Sequence, residues 1–265
     1  MNTDEKMQAI KKMIAARGSM LVAFSGGVDS TLLAVLAKEV LGKNSSCILL
    51  DSPVVPQTAI EQARKIAREC ELDLDIIPVP LMEHEQFRKN PADRCSICKK
   101  ISAVYCRQRS EVLGFACIAD GMNVSDTHEH RPGLTASTDE GIIHPFIESG
   151  ITKHEIREMA RTYGLPVWQK PSAACLSSRI PYGEEITVKK LRMIEEAEAF
   201  LADQGFGQLR VRLHGTIARV EVHTEEMEKI LGMHTSIVKK LKSIGFSYVT
   251  LDLEGYRSGS MDEVL

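Results

Sequence analysis

The amino-acid sequence predicts an α/β domain with a parallel sheet covered by helices on both faces, followed by a small α+β domain. Short apolar runs alternate with helical runs as far as about residue 171, and a glycine-rich corner joins the first such pair. Alternation of this kind is typical of a sheet whose strands are buried on both faces. Beyond it, two strand patterns about a His214-Gly215 turn indicate the α+β part.

The first domain contains four predicted strands and three predicted helices. Apolar runs of strand length fall at 20–24, 47–50, 74–79 and 115–119. Helical periodicity falls at 30–41, 57–70 and 99–113. Strands joined through helices run parallel, so these elements form one parallel sheet.

The second domain is predicted from a different order of elements. Its elements are an amphipathic helix at 183–205, the hairpin about His214-Gly215, short helices at 224–232 and 234–244, and a last strand near 247–253. Thr187 is a residue type that caps helix N-termini, so we expect the first of these helices to begin there.

The boundary between the domains falls in segment 170–182. This segment contains Pro171 and Pro181 and has neither strand nor helix periodicity. We therefore predict a first domain at 1–175 and a second at 176–265.

Composition limits the partners that the chain could have. The net charge of -3 provides no basic field for a nucleic-acid backbone, so no nucleic-acid partner is expected. No apolar run is long enough to cross a bilayer, and the start lacks a secretion signal, so we expect a cytoplasmic protein without a membrane partner. Seven cysteines in such a chain indicate buried thiols, a metal site or a catalytic thiol, and not a disulfide framework.

The stretch SGGVDS, at 25–30, lies where the first predicted strand turns into a helix. Backbone N–H groups and the helix dipole make such a corner an anion site, and phosphate is its expected occupant. GxxxxGK[ST] and GxGxxG are both absent from the sequence, which excludes the kinase-type loop and the dinucleotide fingerprint. The alternative is that the glycines serve backbone packing alone. The expected phosphate ligands are Ser25, Gly26, Gly27, Val28, Asp29 and Ser30.

SGGVDS resembles the pyrophosphate-binding loop of the N-type ATP pyrophosphatases. The resemblance implies an adenine nucleotide alpha hydrolase-like fold, Rossmann-like in its parallel sheet, that binds ATP beyond the carboxyl ends of the strands. It also implies that Asp51 and Ser52, in CILLDSP, hold the adenosine. The stretch ADGMNVSD resembles the second nucleotide-side loop, which adds Asp120 and Gly121. Read locally instead, Asp51 would cap a turn and Asn123 would bind a loop backbone.

The stretch KPSAACLSSRIPYGEEIT lies in the segment between the domains, so Cys175 is not expected in a core. Arg179, four residues on, is a charge that could favour the thiolate. A buried, inert thiol is the alternative for Cys175. That inert role is expected for the cysteines on apolar faces, namely Cys47, Cys70, Cys106 and Cys117.

Together, SGGVDS, PSAACLSSRIPYG and LRVRLHGTIARVEV resemble the LarE family of ATP-dependent sulfur transferases over nearly the whole chain. Members use ATP and Mg²⁺ to adenylate a carboxylate of pyridinium-3,5-biscarboxylic acid mononucleotide and convert it to a thiocarboxylate, in the biosynthesis of the nickel-pincer nucleotide that lactate racemase uses. The resemblance implies Cys175, Asp29 and Arg179 as catalytic residues and a homo-oligomer. Adenylation creates a good leaving group that a sulfur nucleophile can displace.

The motif RCSICKK decides the expected source of sulfur. In one branch of the family the cysteine at the position of Cys175 gives up its own sulfur and becomes dehydroalanine. In the other branch a CxxC pair joins it to hold a 4Fe-4S cluster, whose open iron carries sulfide from a sulfide donor. Because Cys95 and Cys98 form such a pair, the resemblance implies the second branch, with Cys95, Cys98 and Cys175 as ligands.

Two other sites are open to the CxxC pair. The first is a zinc site completed by histidines, for which His84, His128 and His130 are available. The second is a redox dithiol, although no strand directly precedes the pair as in thioredoxin-like motifs.

The last group of candidates lies in the second domain. Arg210 and Arg212 alternate along one predicted strand, so both side chains leave the same face and suit the phosphate of a mononucleotide. A solvated strand face is the alternative. The family resemblance adds Glu198 and Glu221 as polar groups near the substrate or a metal.

Three other functions fit parts of the pattern. A PP-loop tRNA thiolation enzyme would share the loop and the cysteines, but it would need further CxxC pairs or a basic surface. A ligase resembling GMP synthetase or NAD synthetase would not need Cys175 beside a CxxC pair. An ATP-binding module without enzyme activity would leave the three cysteines and Arg179 without a role.

Overall fold

A computed structural model describes residues 3–127, 137–171, 175–257, 259–261 and 263. The chain divides into two compact units, one formed by Met1–Leu81 and Cys95–Ala173 and the other by Met82–Arg94 and Ala174–Leu265. The second unit therefore includes a segment, Met82–Arg94, that the sequence analysis places in the first domain. In the described ranges, no helix combines the length and the apolar character that crossing a bilayer requires.

The first unit contains a five-stranded sheet in which every paired neighbour is parallel. Its strands are β1 (Met20–Ala23), β2 (Ser45–Asp51), β3 (Leu74–Pro78), β4 (Ile118–Ala119) and β5 (Ile142–Ile143), in the order β3-β2-β1-β4-β5. The predicted α/β class is confirmed. The sequence analysis has no counterpart of β5, because Ile142 and Ile143 stand between Gly141 and His144 and form no apolar run of strand length, whereas β4 lies within the run at 115–119.

Helices follow most of the strands. In chain order they are α1 (Thr3–Arg17), α2 (Val28–Leu41), α3 (Gln57–Glu69), α4 (Glu85–Arg88), α5 (Arg94–Leu113), α6 (Val124–Thr127), α7 (Pro145–Glu148), α8 (Lys153–Thr162), α9 (Val188–Asp203), α10 (Met227–Gly232) and α11 (His234–Ile244). The sequence analysis assigned neither α1 nor α8. A capping box formed by Thr152 and Glu155 begins α8, and the TxxE pattern that encodes it was a readable signal.

The core of the first unit packs around α2. Leu32, Leu33 and Leu36 are fully buried on this helix. Each buried leucine contributes roughly 1.5–3 kcal/mol relative to an exposed one. Burial of this kind fixes α2, and with it the corner that precedes the helix.

Helix α5 begins five residues before its predicted start at residue 99, since Arg94 is its first residue. The shift places Cys95 and Cys98 in the first turns of the helix. Cysteine and serine are weak helix formers, so propensity gave no signal for these turns. The preceding element is α4 and not a strand, as the sequence analysis expected for a motif unlike thioredoxin.

The second unit contains a three-stranded sheet in the order β6-β7-β8. β6 (Arg210–His214) pairs antiparallel with β7 (Ile217–Glu221), and β8 (Tyr248–Leu251) pairs parallel with β7. The predicted cap of α9 is confirmed, because the Thr187 side chain accepts a hydrogen bond from the Lys190 N–H. The predicted α+β class of this part is also confirmed.

Asn90 connects the two segments of the second unit. Its side chain is fully buried, and Nδ2 donates to the carbonyls of Ile180, Pro181 and Glu184 at 3.2, 2.7 and 3.2 Å. Arg94 Nη1 donates to Asn90 Oδ1 at 2.6 Å and to the Ser177 carbonyl at 3.0 Å. Segment Met82–Arg94 is thus bound through buried hydrogen bonds to the chain that follows Cys175.

Candidate functional site

The corner between β1 and α2 is a tight turn that contains the SGGVDS residues. The Oγ atoms of Ser25 and Ser30 lie 3.2 Å apart, and the Ser25 N–H donates to Ser30 Oγ at 3.2 Å. The Gly27 N–H donates to Ser25 Oγ at 3.4 Å. The first N–H groups of a helix lack partners within the helix, so this corner presents them to a ligand such as phosphate.

Two glycines let backbone segments meet at this corner. Gly26 has a φ of 66°, and a Cβ there would lie 2.8 Å from the Cα of Ala63. A Cβ at Gly121 would lie 2.8 Å from the backbone nitrogen of Ser30. The loop after β4 therefore lies directly against the first turn of α2. Backbone packing is sufficient reason for glycine at both positions.

Asp29, the second residue of α2, is held from two sides. Lys153 Nζ forms an ion pair with Asp29 Oδ2, and Asn123 Nδ2 donates to Asp29 Oδ1 at 3.4 Å. Asn123 is itself fixed by Asp126 Oδ2, which accepts from its Nδ2 at 2.8 Å and from its N–H at 3.0 Å. The carboxylate is consequently preset at the corner, with a cation already against one oxygen.

A second lysine lies at the other end of the loop. Lys170 Nζ donates to the Gly26 carbonyl at 3.0 Å. Arg157 holds the segment leading to it, since its guanidinium donates to the carbonyls of Trp168 and Lys170 at 2.6 and 3.2 Å. Burial lowers the pKa of the Lys170 ammonium. The sequence analysis named neither Lys153 nor Lys170 as a ligand, because only tertiary folding brings them to the loop.

The predicted nucleotide ligands follow three neighbouring strands. SGGVDS follows β1, Asp51 and Ser52 lie at the end of β2, and Asp120 and Gly121 follow β4. β1 pairs with both β2 and β4, and parallel strands end at the same edge of a sheet. The structure thus brings all three groups to one edge of the sheet. Their contacts with a nucleotide remain a prediction.

In the second unit, two arginines form buried ion pairs. Arg179 donates to both oxygens of Glu198, at 2.9 and 3.1 Å, and Arg212 does the same to Glu221, at 3.0 and 2.9 Å. Arg179 Nη1 also donates to the Cys175 carbonyl at 3.0 Å. This contact between Arg179 and Cys175 is to the backbone, and the Glu198 carboxylate balances the charge of the guanidinium.

Arg210 differs from Arg212 in its contacts. In the described part of the chain it makes no ion pair, and its guanidinium lies 5.1 Å from the centre of the Tyr256 ring. Burial and the neighbouring charge of Arg179 lower the pKa of Arg210. Of the two arginines predicted to bind phosphate, only Arg212 forms an ion pair among the described residues, and the charge of Glu198 acts on Arg210 without such a contact.

The cysteines fall into two groups. Cys47 and Cys106 are buried, and burial raises their pKa values to about 12 and about 11; it also raises the pKa values of Cys70 and Cys117. Raised pKa values favour the protonated thiol. Cys47 and Cys106 are buried as predicted, whereas Cys70 and Cys117 are partly exposed. Cys95 is exposed and Cys98 and Cys175 are partly exposed, and none of the three forms a disulfide.

The described residues contain no group of three histidine, cysteine or acidic side chains arranged to hold a metal ion. Of the histidines considered for zinc, His84 is partly exposed and begins α4. His128 and His130 lie outside the described residues. Neither the cluster nor the zinc alternative is preformed in this part of the chain.

Comparison with known proteins identifies the family. The profile of the NAD synthase family matches residues 3–113, which include the SGGVDS corner. The pyridinium-3,5-bisthiocarboxylic acid mononucleotide synthase of Lactiplantibacillus plantarum is 33% identical over 92% of this chain and 89% of its own length. The chain belongs to the LarE family. Membership in this PP-loop family implies that the first unit binds ATP.

Two further relatives differ in the share of their own length that this chain matches. An uncharacterized protein of Synechocystis is 36% identical over 99% of the chain and 98% of its own length. The glutamine-hydrolyzing GMP synthase of Clostridium novyi is 27% identical over 76% of the chain and 42% of its own length. The full-length matches favour LarE-family organisation over that of GMP synthase.

Proposed function

We propose that this LarE-family protein uses ATP to adenylate a carboxylate of pyridinium-3,5-biscarboxylic acid mononucleotide and then converts it to a thiocarboxylate. One observation supports the ATP-dependent step: two lysines contact the SGGVDS corner, Lys153 at the Asp29 carboxylate and Lys170 at the Gly26 carbonyl. The similarity to the pyridinium-3,5-bisthiocarboxylic acid mononucleotide synthase of Lactiplantibacillus plantarum supports the pyridinium substrate.

The first step needs charge neutralisation at the phosphates. The N-terminal N–H groups of α2 bind phosphate oxygens, and Lys153 and Lys170 place positive charge at both ends of the loop. A substrate carboxylate oxygen attacks the α-phosphorus of ATP, and pyrophosphate leaves. The products of this step are an acyl-adenylate and pyrophosphate.

Mg²⁺ fits the residues at the corner. Asp29 offers carboxylate oxygens, the donors that this ion prefers, and it already binds a cation in Lys153. We propose that Asp29 holds Mg²⁺ when ATP is bound and that Lys153 then binds phosphate instead. Bound Mg²⁺ supplies neutralisation of the departing pyrophosphate.

The substrate is held in the second unit. Arg210 binds its phosphate, since this guanidinium forms no ion pair in the described residues. Arg179 and Arg212, each fixed by a glutamate, hold the surrounding backbone, because they donate to the carbonyls of Cys175 and Ser178 at 3.0 and 2.9 Å.

Sulfur enters in the second step. Hydrosulfide attacks the acyl carbon of the adenylate, a carbon–sulfur bond forms, and AMP leaves with the bonding pair. Cys95, Cys98 and Cys175 form no disulfide, and thiols are the donor type that iron-sulfur clusters use, so we propose them as the ligands of a 4Fe-4S cluster. When bound, this cluster supplies an iron without a protein ligand at which hydrosulfide can be held. We further propose a cytoplasmic homo-oligomer.

The proposal is tested by anaerobic incubation of the protein with ATP, Mg²⁺, sulfide and the pyridinium dicarboxylate mononucleotide. We expect pyrophosphate release that depends on the dicarboxylate, and a product whose mass reports oxygen replaced by sulfur. Asp29→Asn, which keeps the shape of the side chain, is expected to release no pyrophosphate. Pyrophosphate release that depends on tRNA and not on the mononucleotide would replace this function by tRNA thiolation.

A further inference from the structure

A buried histidine of the first unit follows the strand next to β4, at the edge of the sheet where the predicted nucleotide ligands lie. It has no part in the proposed chemistry. His144 directly follows β5, as Asp120 directly follows β4, and these strands are paired. The side chains of His144 and Asp120 are 8% and 9% exposed. His144 Nδ1 lies 2.7 Å from Asp120 Oδ1. Since both strands end here, the pair fixes the start of the loop after β4.

The other ring nitrogen of His144 is also engaged. His144 Nε2 lies 3.0 Å from Thr138 Oγ1. Both ring nitrogens therefore have hydrogen-bond partners, which restricts rotation of the ring. A ring held in this way gives Asp120 a fixed partner.

Asp120 connects His144 to the loop after β4. Its Oδ1 accepts a hydrogen bond from the Met122 N–H at 3.1 Å, which sets the turn at Gly121. That glycine lies against the first turn of α2 with no room for a side chain. Two residues on, Asn123 is 1% exposed and donates to Asp29. A continuous series of contacts thus runs from His144 through Asp120 and the loop to Asp29.

We propose that His144 is a positioning residue for ATP binding: it holds Asp120, and through the loop after β4 it sets Asn123 against the Asp29 carboxylate. The inference rests on the proposed ATP site at the SGGVDS corner. His144 is not among the predicted ATP ligands but contacts one of them, Asp120. Its loss is therefore expected to misplace Asp29 without removing any group that touches ATP.

The test compares His144→Phe with His144→Asn. Phenylalanine fills the same space without a hydrogen-bonding edge, whereas the amide of asparagine can reach Asp120 from the position of Nδ1. We expect His144→Phe to raise the apparent KM for Mg·ATP in pyrophosphate release between about 10-fold and 100-fold, the range seen when groups that orient ligands are removed. His144→Asn is expected to recover most of this loss. His154→Ala, on the exposed face of α8, is the matched control and should behave as the parent protein.

Calorimetric binding of Mg·ATP to the same intact proteins separates this inference from the proposed function. Weaker binding by His144→Phe and recovery by His144→Asn support the inference even if the protein transfers no sulfur to the mononucleotide. Equal ATP affinity in His144→Phe and the parent protein would overturn it. Equal loss of ATP affinity and of thermal stability in both His144 variants would also overturn it, because the ring would then serve packing alone.

Discussion

Arg212 and Glu221 form a two-pronged ion pair across the antiparallel strands β6 and β7, with nitrogen–oxygen distances of 3.0 and 2.9 Å. The two side chains are 6% and 1% exposed. Arg219 adds a second cation, 3.0 Å from Glu221 Oε1. Two guanidinium groups therefore contact a carboxylate that is almost fully buried.

The first prediction follows from this burial. Arg212→Met should lower the free energy of unfolding by about 3 kcal/mol, near the lower end for a broken buried pair because Arg219 still contacts Glu221. Adding Glu221→Leu should recover most of the loss, since no buried charge is then left. Urea unfolding of the three proteins measures this. Unchanged unfolding with lost substrate affinity in Arg212→Met would make Arg212 a ligand instead.

Arg210 is expected to behave in the opposite way. Arg210→Gln removes a charge that forms no ion pair in the described residues, so unfolding should change little while affinity for the mononucleotide falls by about 10-fold or more, as for a charge-assisted hydrogen bond. ATP affinity should be unaffected. Calorimetry with each ligand gives the comparison, and Arg192→Gln on the exposed face of α9 is the matched control. Similar losses for both ligands would indicate a structural arginine.

The neighbouring glycines of the corner offer a matched pair of variants. Gly26→Ala places a side chain at a positive φ and against Ala63, so it should destabilise the fold by at least about 1–3 kcal/mol. At Gly27 a Cβ meets only Ser25 Oγ at 3.4 Å, so Gly27→Ala should fold normally. Thermal unfolding checks the difference. Equal stability of the two variants would contradict the packing described here.

The three cysteines proposed as cluster ligands distinguish the two sources of sulfur. If a cluster is present, Cys95→Ala, Cys98→Ala and Cys175→Ala should each lose iron in anaerobically purified protein, since each removes one of three thiolates. The parent protein should turn over repeatedly with sulfide, and Cys175 should keep its mass. Cys70→Ala is the control and should retain iron.

The opposite results would identify the sacrificial route. Cys95→Ala and Cys98→Ala would then support one round, and Cys175 would appear as dehydroalanine in the mass spectrum. Zinc in place of iron would assign the CxxC pair to a zinc site.

Alkaline pH should destabilise the fold through Cys47 and Cys106. Their pKa values rise from 9.0 to about 12 and about 11 on folding, so the protonated thiols stabilise the native state fully below pH 9. This stabilisation is lost as pH rises through 11 and 12, because the unfolded chain then releases protons first. Urea unfolding at several pH values should show a smaller alkaline loss in Cys47→Ala than in the parent protein. Identical pH profiles would contradict burial of this thiol.

The sequence predicts those features that local pattern encodes. Apolar runs gave β1 to β4, and Thr187 gave the start of α9. SGGVDS identified the corner between β1 and α2, which lies at the same edge of the sheet as the other predicted nucleotide ligands. The two residues of β5 left no pattern, and neither Lys153 nor Lys170 could be assigned from spacing, because both reach the corner from elements more than a hundred residues away in sequence.

The arginines illustrate why strand spacing could not separate ligands from structure. Arg210 and Arg212 are two residues apart, yet a buried glutamate balances only Arg212 among the described contacts. Which guanidinium finds a carboxylate depends on the neighbouring strand and helix, and periodicity carries no information about that pairing.

The placement of Asn90 has a consequence for how the chain acquires its structure. Its three carbonyl acceptors lie at residues 180–184, beyond the whole of Cys95–Ala173. During synthesis, the buried hydrogen bonds of segment Met82–Arg94 therefore cannot form until residues 177–184 have emerged. Closing so long a loop slows folding, and a chain that ends before residue 177 lacks the carbonyl partners of Asn90 and Arg94 in the later segment.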